Sequence, residues 1–323
     1  MVCGETRSSD AEPPRGYEGT DLTTRRNNWL GIAAMIGAML CFVSNDALVK
    51  LSSEAIPIGE VVFLRGIAST LLVAGVIALF GPVPRWRDFR NPALIWRTIG
   101  DVGATVVYLT ALTQLALGNA TIVLQTVPLV VAAVGALVFK EHVGWRRWTA
   151  IAIGLAGVII VIRPGLAGFN AYSLMAFVAV FLIVLRDSST SRIPAAIPTI
   201  TVLTAAVVAT MVSGLAMGIS ETWHWPSGIA LLEAFGAGVF VVLAYSSIIV
   251  ALRSADISLT APFRYTIIIW ALLYGFLFWG DVPDALTIVG GALIVASGIF
   301  TLYREQRVGR ADAQKTSIGG AGP

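Results

Sequence analysis

The sequence is poor in charged residues, in cysteine and in histidine. Charged residues make up 13% of the 323 residues, against roughly a quarter in water-soluble domains. A water-facing surface over the whole chain cannot be built from so few charges. The two cysteines, Cys3 and Cys41, are too few for a disulfide framework or a cysteine-bound metal. The composition therefore excludes an ordinary soluble domain.

Motifs of enzymes are missing as well. The sequence has no HExxH, GxSxG, CxxC or Walker pattern, and its two histidines, His142 and His224, fall in different predicted loops. We predict no enzyme activity, no catalytic residues, no cofactor and no metal site. The net charge of +3 does not indicate nucleic-acid binding, because the basic residues occupy short loops rather than one basic face interleaved with aromatics.

Long apolar segments fill most of the chain instead. Hydrophobic residues make up 56% of the sequence, in runs of about 20, the length that a helix needs to cross a bilayer. We predict an all-α membrane protein with ten transmembrane helices, and disordered cytoplasmic tails at 1–28 and 306–323. The predicted helices are 29–49, 59–80, 95–116, 119–139, 146–163, 170–189, 198–219, 228–251, 257–279 and 284–303.

The positions of the basic residues predict how these helices are oriented. With the N-terminus in the cytoplasm, 18 lysines and arginines fall on the inner side and two, Lys50 and Arg163, on the outer side. Arg65 and Arg264 lie inside predicted helices. Basic residues concentrate in cytoplasmic loops of membrane proteins, so we predict a multi-pass protein with both termini in the cytoplasm.

The two halves of the chain resemble each other when shifted by about 140 residues. Five predicted helices lie in each half, 29–163 and 170–303, and an odd number places the halves in opposite orientation. Such inverted repeats are typical of alternating-access carriers. The aligned pairs are Asp46 with Asp187, Pro57 with Pro198, Ala111 with Ala251, Glu141 with Asp281 and, with a one-residue slip, Gly157 with Gly298.

Each half also closes with an apolar run, an acidic residue, a short turn and a glycine-containing helix. The stretches are ALVFKEHVGWRRWTAIAIGLAGVIIVIRPG and GFLFWGDVPDALTIVGGALIVASGIFTLYRE. In this the chain resembles the drug/metabolite transporter superfamily, in its EamA-like ten-helix branch. The resemblance implies a secondary transporter of a small organic molecule, with a central cavity between the halves, in the bacterial inner membrane.

Three shorter stretches narrow the resemblance. NDALVK, EVVFLRG and APFRYTIIIWALLYGFLFWGDVPD are similar to bacterial members linked to uptake of riboflavin or S-adenosylmethionine. The specific prediction is riboflavin uptake. The alternatives are S-adenosylmethionine uptake, export of amino acids or related metabolites, and a structural or receptor-like membrane protein. The coupling ion, with protons one option, and the oligomeric state stay open.

Polar and charged residues inside the predicted helices are the candidates for substrate binding or coupling. A charge at the centre of a membrane helix costs at least roughly 2.5–3.5 kcal/mol on insertion scales, so it normally faces a partner or a wet cavity. Tyrosine, glutamine and tryptophan can line the same path, and hydrogen bonding between helices is an equally good interpretation. The candidates are Asn45, Asp46, Glu60, Arg65, Asp101, Tyr108, Gln125, Asp187, Tyr245, Arg264, Tyr265 and Trp270.

Arg65 and Arg264 stand out because their repeat counterparts, Ala206 and Leu124, are apolar. Symmetry of the fold cannot explain a charge that one half alone carries. We expect both to line the cavity, and we expect Arg264→Ala to abolish transport. The alternative is a structural ion pair, with Arg65 paired to Asp101 or Glu60.

Two further features accompany these residues. Asp46 and Asp187, which are aligned in the repeat, either accept hydrogen bonds between helices or take part in proton coupling or substrate contact. Pro128 and Pro262 lie at membrane depth in corresponding helices and predict kinks.

Overall fold

A computed structural model describes residues 17–81, 83–137, 144–164, 169–255 and 257–319, and every regular element in these ranges is helical. Short 3-10 turns precede α3 and follow α8. The helices are α1 (Tyr17–Ser53), α2 (Ile58–Phe80), α3 (Pro92–Leu112), α4 (Leu117–Leu124), α5 (Val127–Leu137), α6 (Trp145–Ile162), α7 (Ala171–Thr190), α8 (Thr199–Met217), α9 (Gly228–Ser254), α10 (Ile257–Thr260), α11 (Thr266–Tyr274) and α12 (Ala285–Gly319).

The spans agree with the predicted membrane helices. Within the described ranges, nine helical segments are long and apolar enough to cross a membrane, with Leu117–Leu137 and Ala261–Trp279 each counted as one. The remaining predicted span corresponds to α3. That helix carries Arg97 in its second turn and Asp101 near its middle, and these charges lower its hydropathy. The prediction of an all-helical membrane protein is confirmed.

The fourth and ninth spans are broken beside their prolines. Span four is divided at Gln125 and Thr126, so that Pro128 is the second residue of α5. Span nine passes from α10 through a 3-10 helix, Ala261–Tyr265, into α11 and then a π-helical turn, Gly275–Trp279. Proline lacks the N–H that a helix interior needs but fits the first turn of a helix. The predicted kinks therefore lie just before Pro128 and Pro262.

The main contacts between helices occur in pairs that are related by exchanging one half of the chain for the other. α1 packs on α9 as α7 packs on α3, and α2 packs on α9 as α8 packs on α3. The pairs α2 with α8, α4 with α11, and α6 with α12 join corresponding helices of the two halves. Each of these contacts therefore has a counterpart when the halves are interchanged. This is the packing expected of two inverted five-helix repeats.

Glycine permits several close crossings between these helices. A Cβ on Gly157 of α6 would lie 2.7 Å from the carbonyl oxygen of Gly290 on α12, and a Cβ on Gly290 would lie 2.7 Å from that of Gly157. A Cβ on Gly100 of α3 would lie 2.8 Å from the backbone nitrogen of Arg186 on α7. Small residues at such crossings let membrane helices approach closely.

The segments outside the predicted spans are described only in part. α1 begins at Tyr17 and α12 ends at Gly319, so the described backbone is helical beyond the predicted limits of the first and last spans. Glu141 and His142 lie outside the described residues. The pairing of Glu141 with Asp281 in the repeat therefore stays a prediction.

Candidate functional site

Four of the candidate residues form a hydrogen-bonded group where α1, α2 and α3 meet. Arg65 donates through Nε to Oδ1 of Asn45 at 2.7 Å, and the Asn45 amide donates to Oδ1 of Asp46 at 2.8 Å. The Tyr108 hydroxyl donates to Oδ2 of Asp46 at 2.9 Å. We call these four residues the upper cluster, because they lie nearer to the membrane face predicted to be outer.

Arg65 has donors to spare in this arrangement. It is 8% exposed, and a guanidinium carries five N–H donors. Nε is used by Asn45, while the terminal nitrogens make no hydrogen bond to any residue that the structure describes. Asp46 lies close enough to interact electrostatically with Arg65. The pair therefore presents unused positive donors beside a carboxylate.

A second group of charges lies where α3 meets α7. Asp101 is approached from both sides, by Arg186 at 3.3 Å and by Arg97 at 3.6 Å, one turn earlier on α3. Nε of Arg186 donates to Asp187 at 2.9 Å. We call these four residues the lower cluster. Two cations and two anions balance there, and Gly100 lets α7 approach closely enough for the contact.

A small cavity of about 40 Å³ connects the two clusters. Arg65, Asp101 and Tyr245 line it, and the remaining lining is mostly apolar. The repeat counterparts of Arg65 and Asp101 are Ala206 and Val241, which line the same cavity. The cavity therefore lies where the halves face each other, and the first half alone supplies its charges.

Two other candidates lie away from this cavity. Glu60 is buried in the first turn of α2, where the backbone N–H of His224 donates to it. It does not contact Arg65, whose partner is Asn45. Gln125 is half-buried at the break between α4 and α5, and its backbone N–H closes the end of α4. Neither residue lines the cavity.

The candidates on span nine are also separate from the clusters. Arg264 is exposed in the 3-10 helix. Tyr265 is 6% exposed, and its hydroxyl fits against Gly298 of α12, where a Cβ would lie 1.9 Å from it. Trp270 is half-buried against core residues of α1 and α9. The structure thus does not bring these three residues to Arg65.

Sequence reasoning undervalued two arginines. Arg97 and Arg186 lie toward the predicted inner ends of their helices, where long basic side chains commonly extend to the interface. Both instead hold Asp101. The four-residue spacing from Arg97 to Asp101, which places both on one helix face, was the available signal. The contact of Arg186 with Asp101 depends on tertiary packing and has no such signal.

A larger pocket of about 290 Å³ opens at the predicted outer face. Its lining is mostly polar and includes Asn119, Arg163, Asp281 and Asp284. Arg163 donates to the Asp284 carboxylate, which also accepts the backbone N–H of Thr287 at 2.9 Å. The Arg163 hydrogen bond, followed by those from Thr287, holds the pKa of Asp284 well below its ordinary value.

These features define an integral, multi-pass membrane protein whose two halves enclose buried charges between them. Comparison with known families gives the same result for the first half. Residues 29–163 match the EamA-like transporter family, so the first half of the chain is similar to transporters of that family.

Curated relatives include transporters of several compounds. An S-adenosylmethionine uptake transporter of Rickettsia felis is 23% identical over 279 residues, which cover 86% of this chain and 94% of that protein. A pseudopaline exporter of Pseudomonas aeruginosa is 28% identical and covers 83% and 94%. A riboflavin transporter of Vibrio cholerae is 28% identical over 190 residues, covering 58% and 63%.

A solved structure supports the fold. A chain of known crystal structure matches with a TM-score of 0.59 at 19% identity, covering 86% of this chain and 97% of that chain. At this identity the likeness concerns the fold alone.

Proposed function

We propose that the protein takes up an amino-acid-headed organic cation of the S-adenosylmethionine type by alternating access. The observation that carries the proposal is Arg65, which lines a cavity shared with Asp101 and lies beside Asp46. Its terminal nitrogens make no hydrogen bond within the described part of the chain. Positive donors and carboxylates within one buried site suit a ligand that bears both signs of charge.

The chemistry of S-adenosylmethionine fits these groups. Its amino-acid end carries a carboxylate and an ammonium group, and its sulfur is a permanent cation. The planar fork of an arginine binds a carboxylate through two parallel hydrogen bonds, which Arg65 can supply. Asp46 and Asp101 are the nearby anions for the ammonium or sulfonium group. Pairing with these groups offsets the free-energy cost of burying the charges of the ligand in an apolar interior.

The size of the cavity indicates a closed state. A space of about 40 Å³ accommodates a few water molecules at roughly 10–15 Å³ each, and an adenosyl compound is far larger. Substrate binding therefore requires the halves to separate on one side. The breaks beside Pro128 and Pro262, in corresponding spans, are places where the helices can bend during such a movement.

Two observations support this substrate over riboflavin. The relatives named for S-adenosylmethionine cover 86% of the chain, and the riboflavin transporter covers 58%. Aromatic side chains of span nine, which could otherwise stack on a flavin ring, are also used in packing. Tyr265 fits against Gly298, and Tyr274 contacts Phe278 edge-on at 5.5 Å between ring centroids.

Uptake into proteoliposomes tests the proposal. The purified protein is reconstituted, and the initial rate of uptake of labelled S-adenosylmethionine is measured with a tenfold excess of an unlabelled competitor. We expect unlabelled S-adenosylmethionine to abolish the signal, S-adenosylhomocysteine to reduce it, and riboflavin to leave it unchanged.

Two outcomes contradict the proposal. Uptake no faster than in protein-free liposomes, with the protein shown to be folded, rejects S-adenosylmethionine. Uptake of labelled riboflavin in the same vesicles, suppressed by unlabelled riboflavin alone, assigns the transporter to the flavin instead.

A further inference from the structure

The two basic residues at the predicted outer side both hold the hairpin between spans nine and ten. Arg163 donates to Asp284. Lys50, at the end of α1, lies with Nζ 5.1 Å from the centroid of the Trp279 ring and donates to the backbone carbonyl of Leu115. The outer side has few cations because of the positive-inside rule, and each of these two has a structural partner.

The surroundings of the Lys50 ammonium form a site for a cation. An aromatic face attracts cations through its quadrupole, and Trp279 supplies that face. The Trp279 indole N–H donates to the Glu54 carboxylate at 2.7 Å, which holds the ring in place. Glu54 and Asp281 both interact electrostatically with Lys50. An aromatic ring, two carboxylates and a carbonyl oxygen thus surround one charge.

The position of this site matters for access to the upper cluster. Lys50 follows Asp46 by one turn on α1. Leu115 lies just after the end of α3, the helix that carries Tyr108. Lys50 is 8% exposed. Its contacts with Leu115 and Trp279 therefore join α1, the segment after α3 and span nine on the outer side of the upper cluster, and we call these contacts the outer closure.

The polar outer pocket adjoins this closure. Leu115, Gly275 and Asp281 line that pocket, and its volume of about 290 Å³ is close to the lower end of the range of ligand pockets, roughly 300–1,000 Å³. A small organic molecule that reaches the pocket is then next to Trp279 and Asp281.

We propose that Trp279, Glu54 and Asp281 form an outer recognition site for a sulfonium or quaternary ammonium group, which Lys50 occupies in the closed state. An arriving organic cation displaces the Lys50 ammonium from the Trp279 ring, and the loss of the Lys50 contacts frees span nine to move away from α1. Recognition of the positive charge and opening of the outer path are then one event. The identity of the natural cation rests on the function proposed above; the site itself does not.

The test uses a cysteine placed below the closure. Ser44 is 6% exposed and lies six residues before Lys50, about 9 Å along the helix. Ser44→Cys is introduced with Cys3 and Cys41 replaced by serine, and its reaction rate with a methanethiosulfonate reagent is measured on protein in nanodiscs. The probe is trimethylsulfonium chloride, with sodium chloride at equal concentration as the reference.

We expect trimethylsulfonium to raise the labelling rate about fivefold, as a cation–π contact of ordinary strength allows. Lys50→Gln should give the raised rate without the probe, and the probe should then add nothing. Trp279→Leu should abolish the response to the probe. Trp225→Leu is the matched control, since Trp225 is 95% exposed on the same predicted face and should leave the response intact.

A labelling rate that neither trimethylsulfonium nor Lys50→Gln changes overturns the proposal. A response that survives Trp279→Leu overturns it as well. Because trimethylsulfonium replaces the metabolite, failure of S-adenosylmethionine uptake in proteoliposomes leaves this result standing, and the two proposals can fail separately.

Discussion

Arg65 lies within the apolar span of α2, where the Asn45 amide fixes its orientation. The sequence predicted that this residue matters, because a charge carried by one half alone cannot serve the symmetry of the fold. Its interaction with Asn45 could not be predicted, since the two residues are 20 positions apart on different helices. The choice among Glu60, Asp101 and other partners depended on packing that no local pattern encodes.

Replacement of Arg65 by lysine should weaken substrate binding. Lysine keeps the charge but lacks the fork and the Nε–H that Asn45 accepts. A hydrogen bond to a charged group is worth roughly 1.5–3 kcal/mol, so the Kd for S-adenosylmethionine should rise by about 10- to 100-fold. Binding of the labelled compound to the purified protein measures the change.

Arg253→Ala is the matched control, because Arg253 is exposed in the last turn of α9. Its Kd should equal that of the unmodified protein. A normal Kd for Arg65→Lys would make Arg65 a residue that joins helices and not one that binds substrate.

The position of Arg264 in the structure reverses the effect that we expect from its replacement. Its counterpart in the repeat is apolar, which predicted a cavity residue, but the 3-10 helix leaves its side chain exposed and away from Arg65. We now expect Arg264→Ala to retain most of the transport rate in proteoliposomes. A loss as deep as that of Arg65→Ala would show that Arg264 reaches the substrate path in another state of the protein.

At the scale of single helices, hydropathy predicted the positions of the membrane spans well and the local helix type within them poorly. All ten predicted segments correspond to helices, because about 20 apolar residues have few alternatives in a bilayer. The prolines predicted breaks in spans four and nine, but not the 3-10 and π turns that span nine adopts. Those turns depend on how neighbouring helices satisfy the backbone groups that proline leaves free.

The crossing of α6 and α12 provides a prediction for helix packing. Gly157→Ala places a methyl group 2.7 Å from the Gly290 carbonyl oxygen, so the helices must separate and lose contacts along their length. We expect a fall in the melting temperature of the detergent-solubilised protein, measured by thermal unfolding.

Gly37→Ala on α1 is the control for that substitution, because nothing lies within 4 Å of its Cβ position. Alanine favours a helix over glycine by about 1 kcal/mol, so this variant should be as stable as the original or slightly more so. Equal melting temperatures for Gly157→Ala and Gly37→Ala would contradict the close crossing.

At the scale of the whole molecule, the internal repeat predicted more than any motif did. An offset of about 140 residues implied that the halves are interchangeable, and the packing of α1 on α9 and of α7 on α3 follows that exchange. The same offset relates Asp46 of the upper cluster to Asp187 of the lower cluster. The repeat could not identify the substrate, because Arg65, which we propose to bind it, has an apolar counterpart in the other half.

Orientation in the membrane is a prediction of its own. Trp86 and Trp225 are 76% and 95% exposed in loops predicted to be inner and outer, respectively. Single cysteines at these positions, in a chain without Cys3 and Cys41, should react differently with a membrane-impermeant thiol reagent on intact cells. We expect Trp225→Cys to be labelled and Trp86→Cys to be protected until the cells are broken. The reverse pattern would invert the assigned topology.

Counterflow in proteoliposomes tests the central claim most directly, namely that the two halves alternate around the charged cavity to carry S-adenosylmethionine. Vesicles loaded with unlabelled S-adenosylmethionine are diluted into a trace of the labelled compound, and accumulation is followed over time. We predict transient accumulation of label in loaded vesicles, little in empty ones, and none with Arg65→Ala. Equal accumulation in loaded and empty vesicles, or unchanged counterflow by Arg65→Ala, would contradict the account.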